Sequence, residues 1–136
     1  EVCLADLLKE GRAVVLYFYP RDNTPGCTQE ACDFRDNLNR LTPHAAVIGV
    51  SSDSIASHKR FREKQGLTFP LLSDPDHTVL TAYGAWGEKK MYGKVSEGTI
   101  RSTFLITADG LIAKAWKSVK VKGHVDEVLK ALRNSD

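Results

Sequence analysis

The chain passes from a strand to a helix within residues 17–35, which read YFYPRDNTPGCTQEACDFR. The apolar run Ala13–Tyr19 overlaps this segment, and its β-branched and aromatic side chains predict a buried strand. Pro20 ends that strand, and the Asp, Asn, Pro and Gly residues that follow predict a tight connection. From Cys27 to about Leu41, apolar residues recur at spacings of four and three, which predicts a helix.

Cys27 is therefore expected where the helix begins, and a cysteine at that position is reactive for a physical reason. Unpaired backbone N–H groups and the helix dipole favour the thiolate, which is the nucleophilic form. A lone cysteine is most often a small buried residue. Here the Thr-Pro-Gly lead-in and a second cysteine, Cys32, five positions later favour a functional thiol.

The pattern Pro20-x-x-x-Thr24-x-x-Cys27 resembles the active-site motif of the peroxiredoxins. With Cys32, the segment is similar to the Q-type subgroup, also called bacterioferritin-comigratory proteins. Three later segments are similar to the same subgroup: FPLLSDPD (Phe69–Asp76), YGAWGEKKMYGK (Tyr83–Lys94) and IRSTFLI (Ile100–Ile106). The resemblance covers nearly the whole chain and implies a thioredoxin-like fold and a thiol-dependent peroxidase.

A thiol peroxidase needs a thiolate, donors that polarise the peroxide bond and a way to recover from the sulfenic acid. Full ionisation of an ordinary cysteine raises its reactive fraction at neutral pH by only about thirtyfold. The larger contribution must therefore come from donors arranged around the two peroxide oxygens. The resemblance implies that Cys27 attacks hydrogen peroxide or an organic hydroperoxide and that Arg101 lies beside it, holding thiolate and peroxide.

Three further residues complete the expected site. The Thr24 hydroxyl can turn into the pocket, Pro20 would shield the sulfur from water, and Glu30, one helical turn after Cys27, is placed to orient Arg101. Thr24, Arg101 and Glu30 each have an ordinary structural alternative. The Thr24 hydroxyl could cap the turn, and Arg101 and Glu30 could form a surface salt bridge.

Cys32 is the expected resolving thiol. Cα atoms five residues apart in an intact helix are separated by about 8–9 Å, which exceeds the limit of about 7 Å for a disulfide. We therefore expect the first turns of the helix to unravel after Cys27 is oxidised. Some related proteins carry the resolving cysteine in the next helix, but residues 54–66 contain none. The resemblance implies reduction of the disulfide by thioredoxin or a glutaredoxin-type dithiol.

The rest of the chain alternates strands and helices. The predicted elements are strands Ala45–Ser51, Phe69–Leu72, Ser102–Thr107 and Leu111–Lys117, and helices Ile55–Gln65, Pro75–Tyr83 and Gly123–Arg133. Residues 108–110, Ala-Asp-Gly, predict a hairpin. Gly84–Gly98 is polar and long, which indicates a functional loop. His58 has basic neighbours and no acidic partner nearby in sequence, so it is predicted to be exposed.

A β-α-β opening implies a parallel pair of strands, and the later hairpin adds antiparallel strands. The sequence thus predicts an α/β domain over residues 1–136 with a mixed central sheet and helices on both faces. A flavodoxin-like fold is the alternative from the pattern alone, although it needs no terminal hairpin. Residues 1–12 read as an amphipathic turn or short helix, and the relatives implied by the resemblance begin earlier, which indicates an incomplete N-terminus.

Composition and residue spacing argue against several other classes of function. A net charge of +2 and dispersed acidic residues favour solvated basic faces over a nucleic-acid site, and the longest apolar run is too short to span a membrane. The four histidines and three cysteines lack zinc-site spacings, and no phosphate-binding loop follows a strand, so neither a metal nor a cofactor is expected. An odd number of cysteines suits a reducing compartment such as the cytoplasm, with Cys3 a bystander.

Two other functions remain open at this point. A thioredoxin-like thiol–disulfide oxidoreductase is disfavoured, because the cysteines are spaced C-x-x-x-x-C and Thr24 and Arg101 would have no task. A redox-sensing or chaperone-like binding protein could use the same thiol as a switch. A monomer is expected, since a resolving thiol within the chain removes one need for a dimer without forbidding it.

Overall fold

The computed structural model describes residues 12–91 and 93–134, which form seven strands and five helices. The strands are β1 Ala13–Phe18, β2 Ala45–Ser51, β3 Leu71–Ser73, β4 Trp86–Met91, β5 Lys94–Thr99, β6 Ser102–Ile106 and β7 Ile112–Trp116. The helices are α1 Pro25–Asp36, α2 Leu38–Leu41, α3 Ile55–Gln65, α4 Thr78–Ala82 and α5 His124–Asn134. The predicted N-terminal helix and Cys3 lie outside the described residues.

Five strands form the main sheet in the order β3-β2-β1-β6-β7. Strand β1 pairs in parallel with β2 and antiparallel with β6, while β2 pairs in parallel with β3 and β6 antiparallel with β7. The predicted mixed sheet is therefore confirmed, as is the hairpin between β6 and β7. Strand β1 lies at the centre, which explains why its sequence is almost continuously apolar.

Helices cover both faces of this sheet. Alternate residues of β1 point to opposite faces, so Val15 and Tyr17 join one core cluster while Val14 and Leu16 join the other. The first cluster includes buried side chains of α1, α3 and α5, and the second includes Leu80 of α4. The expectation of helices on both faces is confirmed.

A second sheet of two strands replaces the predicted loop at 84–98. Strands β4 and β5 pair antiparallel from Trp86↔Thr99 to Met91↔Lys94, so the loop interpretation is wrong over these residues. Their polar, glycine-containing sequence lacks the apolar alternation that marks a half-buried strand. Each of these strands pairs with the other, and among the described residues neither pairs with the main sheet.

Two predicted helices have different bounds. The first is interrupted at Asn37, whose side-chain Nδ2 donates to the Asp33 carbonyl at 2.8 Å, so that α1 ends and the short α2 begins. The helix expected from Pro75 starts only at Thr78, because His77 has a positive φ of 62°. Asp74 still serves this helix, since its carboxylate accepts the backbone N–H of Leu80 at 2.8 Å.

Candidate active site

Cys27 lies in the first turn of α1, as the sequence predicts. Helix α1 begins at Pro25, whose fixed φ suits a first helical position and whose missing N–H is not needed there. The Thr24 carbonyl accepts the first helical hydrogen bond, from the Thr28 N–H at 2.8 Å. The first N–H groups of a helix have no partner within it, and Cys27, in this first turn, is only 1% exposed.

Arg101 is brought to Cys27 by the pairing of β1 with β6. Phe18 at the end of β1 lies opposite Ser102 at the start of β6, so Arg101 lies just beyond the end of β1. Its Nη2 is 3.2 Å from the Cys27 Sγ, across 74 residues of sequence. Gly26 permits this approach, since a Cβ there would lie 3.3 Å from the same nitrogen.

Glu30 anchors the other side of the guanidinium. Its Oε1 accepts from Arg101 Nη1 at 2.6 Å, and its side chain is 1% exposed. Burial raises the pKa of Glu30 to about 7, although the positive charge of Arg101 lowers it in part. Burial also lowers the pKa of Arg101, but attraction by Glu30 and Cys27 outweighs this and holds it above its usual value. The alternative of a surface salt bridge therefore does not describe this pair.

Thr24 and Pro20 lie in the loop that precedes α1. The Thr24 hydroxyl donates to the Arg21 carbonyl at 2.8 Å and makes no capping bond to the helix. Its single proton is thus used within the turn, so toward a substrate this oxygen can only accept. Pro20 is half-buried directly after the buried Tyr19, a position compatible with the expected shielding.

Cys32 lies farther along α1 and is half-buried. Both Cys27 and Cys32 are free thiols, and the helix runs unbroken from Pro25 to Asp36. The Cys32 Sγ is 3.6 Å from Gln65 Oε1, while Arg35 Nη1 donates to the Gln65 backbone carbonyl at 2.6 Å. The structure therefore shows the reduced arrangement, in which α1 is intact and tied to the end of α3.

The prediction that His58 is exposed is wrong. The residue is 3% exposed, and its Nδ1 lies 2.7 Å from Asp22 Oδ2, 36 residues away. Its Nε2 lies 2.9 Å from the Leu72 carbonyl. Only folding brings these partners together, so a search of neighbouring sequence could not find them. The three-residue spacing of His58 and Phe61, both buried, is the sequence signal that they share a helix face.

One group of described residues has the donor atoms for a metal ion: Asp22, Asp53 and His58. These atoms already bond within the protein. Both His58 ring nitrogens are engaged, and Asp53 Oδ2 accepts from the Asp22 N–H at 2.8 Å and from Ser51 Oγ at 2.7 Å. The contacts favour a hydrogen-bonded network at this position over a metal centre.

Known proteins are similar to this chain in sequence and in fold. The profile of the AhpC/TSA family matches residues 1–115. The chain belongs to the AhpC/TSA family. Within it, a Mycobacterium tuberculosis protein provisionally named a peroxiredoxin is 54% identical over 132 residues, covering 96% of this chain and 83% of that protein. The peroxiredoxin Bcp of Bacillus subtilis is 49% identical over 126 residues, covering 92% of this chain and 80% of that protein.

A solved structure gives the same relationship. The Xanthomonas campestris bacterioferritin comigratory protein is 47% identical with a TM-score of 0.87, covering 92% of this chain and 80% of that one. The predicted membership of the Q-type subgroup and the thioredoxin-like fold are confirmed. This peroxiredoxin is a thiol-dependent peroxidase. Among the described residues, no helix combines the length and the apolar character that a membrane span requires.

Proposed function

We propose that Cys27 is the thiol of this peroxiredoxin that reacts with peroxide. The observation that supports it most directly is the Arg101 Nη2 at 3.2 Å from the Cys27 Sγ, with the rest of the guanidinium held by Glu30. A guanidinium fixed in this way stabilises the thiolate and presents donors toward a peroxide oxygen without having to reorganise. Thr24 accepts a hydrogen bond from the peroxide, and Pro20 limits access of water.

The reaction then proceeds in two steps. The Cys27 thiolate attacks one peroxide oxygen, the O–O bond breaks, and the departing oxygen takes a proton to become water or an alcohol. The Cys27 sulfenic acid next condenses with the Cys32 thiol, which forms a disulfide and releases water. With α1 intact the two Cα atoms are about 8–9 Å apart, so its first turns unwind before the bond forms.

The activity of a relative supports the class of substrate, and the proposed disulfide indicates the class of reductant. The Xanthomonas protein is described for its alkyl peroxide reduction activity, which supports organic hydroperoxides as substrates here beside hydrogen peroxide. A dithiol protein of the thioredoxin or glutaredoxin type reduces the disulfide and completes the cycle. Free thiols at both positions suit a reducing compartment, the cytoplasm, and a disulfide within one chain lets the monomer work alone.

The test is peroxide consumption with thioredoxin, thioredoxin reductase and NADPH. We expect Cys27→Ser to remove no peroxide, and Cys32→Ser to remove about one equivalent and then turn over poorly. Lys130→Gln, an exposed change on α5, serves as the control and should turn over normally. Normal turnover by Cys32→Ser would assign the resolving step to another thiol.

Two measurements on the parent protein test the two other functions that the sequence left open. Efficient reduction of insulin disulfides, combined with slow peroxide removal, would instead support a thiol–disulfide oxidoreductase. A parent protein that removes no peroxide would favour a binding protein with a thiol switch.

A further inference from the structure

The loop of residues 20–24 carries Pro20 and Thr24 of the proposed site, and Asp22 is its one buried residue. Asp22 is 6% exposed, whereas Arg21 and Asn23 on either side are exposed. Asn23 has a positive φ of 63°, so the chain turns sharply after Asp22 before it reaches Thr24. The position of Thr24 and of the first turn of α1 therefore depends on how Asp22 is held.

Three side chains donate to the Asp22 carboxylate. Tyr19 Oη donates to Oδ1 at 2.6 Å, and Ser57 Oγ donates to Oδ2 at 2.8 Å. His58 Nδ1 lies 2.7 Å from the same Oδ2. Burial raises the pKa of Asp22, but these hydrogen bonds outweigh burial and hold it below its usual value. The carboxylate is thus ionised and joined both to the end of β1 and to helix α3.

His58 connects the loop to two other elements through its ring nitrogens. Its Nδ1 lies 2.7 Å from Asp22 Oδ2 and 3.4 Å from Tyr19 Oη, and its Nε2 lies 2.9 Å from the Leu72 carbonyl. Asp22 and His58 are therefore a buried hydrogen-bonded pair that joins the loop to α3 and β3. We call them the loop anchor.

A buried polar pair is a poor means of gaining stability, because the cost of removing both groups from water offsets much of what their interaction returns. The hydrogen bonds of the loop anchor instead fix the position of the loop against α3 and β3. The two halves of the site have different supports: Arg101 lies next to β6, beside one edge of β1, and bonds to Glu30 of α1, while the loop anchor lies toward β2 and β3 beside the other edge. A peroxide that contacts both Thr24 and Arg101 is sensitive to any shift between these supports.

We propose that Asp22 and His58 are positioning residues for peroxide reduction, which fix Thr24 and the first turn of α1 relative to Arg101. This proposal rests on the proposed role of Cys27 as the peroxide-reacting thiol. The loop anchor does not touch the substrate. It sets the rate of the peroxide step through the position of the groups that do.

The test compares two reactions of Cys27 in the full chain. Reaction with peroxide requires the arranged donors, whereas alkylation by iodoacetamide requires only an accessible thiolate. In His58→Gln we expect the second-order rate constant for peroxide, measured by stopped flow, to fall about tenfold or more, since small misplacements of reacting groups cost that much. Alkylation of the Cys27 peptide, followed by mass spectrometry, should change little.

Three further variants and a control complete the design. Asp22→Asn should show the same selective loss, and combining it with His58→Gln should add little, because the two residues act as one unit. Tyr19→Phe removes the bond to Oδ1 and the 3.4 Å contact with His58 Nδ1, but leaves the contact between Asp22 and His58, and should give a smaller loss of the same kind. Arg60→Gln, on the exposed side of α3, should match the parent protein in both reactions.

Three results would overturn the proposal. Peroxide rates equal to the parent's in His58→Gln, in Asp22→Asn and in their combination would show that the loop does not need the pair. Peroxide and alkylation rates that fall together would indicate a lost thiolate, and faster alkylation would indicate a loosened fold. Failure of the proposed function would look different, because the parent itself would react with peroxide no faster than Cys27→Ser.

Discussion

Thr24 shows how a single hydroxyl can be limited to one role. Its proton is donated to the Arg21 carbonyl at 2.8 Å, so only its lone pairs remain for a substrate. The expectation that the hydroxyl turns into the pocket and the alternative that it closes the turn are therefore compatible. In the proposed reaction, the turn orients the Thr24 oxygen, which accepts a hydrogen bond from the peroxide.

Two substitutions of Thr24 distinguish the contribution of its hydroxyl from that of the shape of its side chain. Thr24→Val removes the acceptor, and losing a hydrogen bond of about 1.5 kcal/mol should lower the rate constant for peroxide about tenfold. Thr24→Ser keeps the hydroxyl and should retain most of the rate. Stopped-flow measurement of Cys27 oxidation checks both. A serine variant as slow as the valine variant would show that the methyl group, rather than the oxygen, matters.

At the scale of elements, the proposed cycle makes two conflicting demands on helix α1. The helix must be intact to present Cys27 to Arg101, and it must unwind for Cys27 to reach Cys32. Its connection to α3 through Arg35 and Gln65, at 2.6 Å, favours the intact state. The helix is also anchored by Phe34, which is fully buried and stacks on Tyr17 with ring centroids 4.6 Å apart.

Weakening this connection should speed the resolving step. Arg35→Met removes the bond to the Gln65 carbonyl, and a loss of about 1 kcal/mol would raise the unwound population about fivefold. Disulfide formation after a single peroxide addition should accelerate by a similar factor, while the peroxide step stays unchanged. Lys130→Met, exposed on α5, is the control. An unchanged or slower disulfide step would mean that unwinding does not break this contact.

At the scale of the whole molecule, two buried groups near the site give stability opposite dependences on pH. Burial raises the pKa of Glu30 from 4.5 to about 7, so the folded state binds more protons than the unfolded state between these values, and stability falls as pH rises through them. Burial lowers the pKa of His124 from 6.5 to about 4, so stability rises with pH in that window.

The contribution of Glu30 can be isolated by substitution. Relative to the parent, Glu30→Gln should gain stability as pH rises from 4.5 to 7, by about 3 kcal/mol at most, because one pKa unit corresponds to about 1.4 kcal/mol. Urea unfolding of both proteins across this range measures the difference. A constant difference would show that Glu30 titrates alike in both states. In the same experiment, His124→Gln should lose stability relative to the parent as pH rises from about 4 to 6.5.

Local sequence patterns are enough to predict much of the secondary structure of this protein. Cys27 lies in the first turn of a helix because Pro20 ends the preceding strand and Pro25 suits a first helical position. Both effects act within a few residues. The order of strands and helices in the main sheet follows from periodicity in the same way. The family resemblance then indicated Arg101 and Glu30, which the residues alone would have presented as a surface pair.

The tertiary structure decided which distant residues meet. Sheet register brings Arg101 to Cys27 across 74 residues, and the packing of α3 brings His58 to Asp22 across 36. The β4–β5 hairpin likewise exists through pairing of two polar strands that carry no apolar signal. Periodicity reports how a segment meets the core, but a hydrogen bond between remote residues depends on the relative placement of whole elements, which only the packed fold defines.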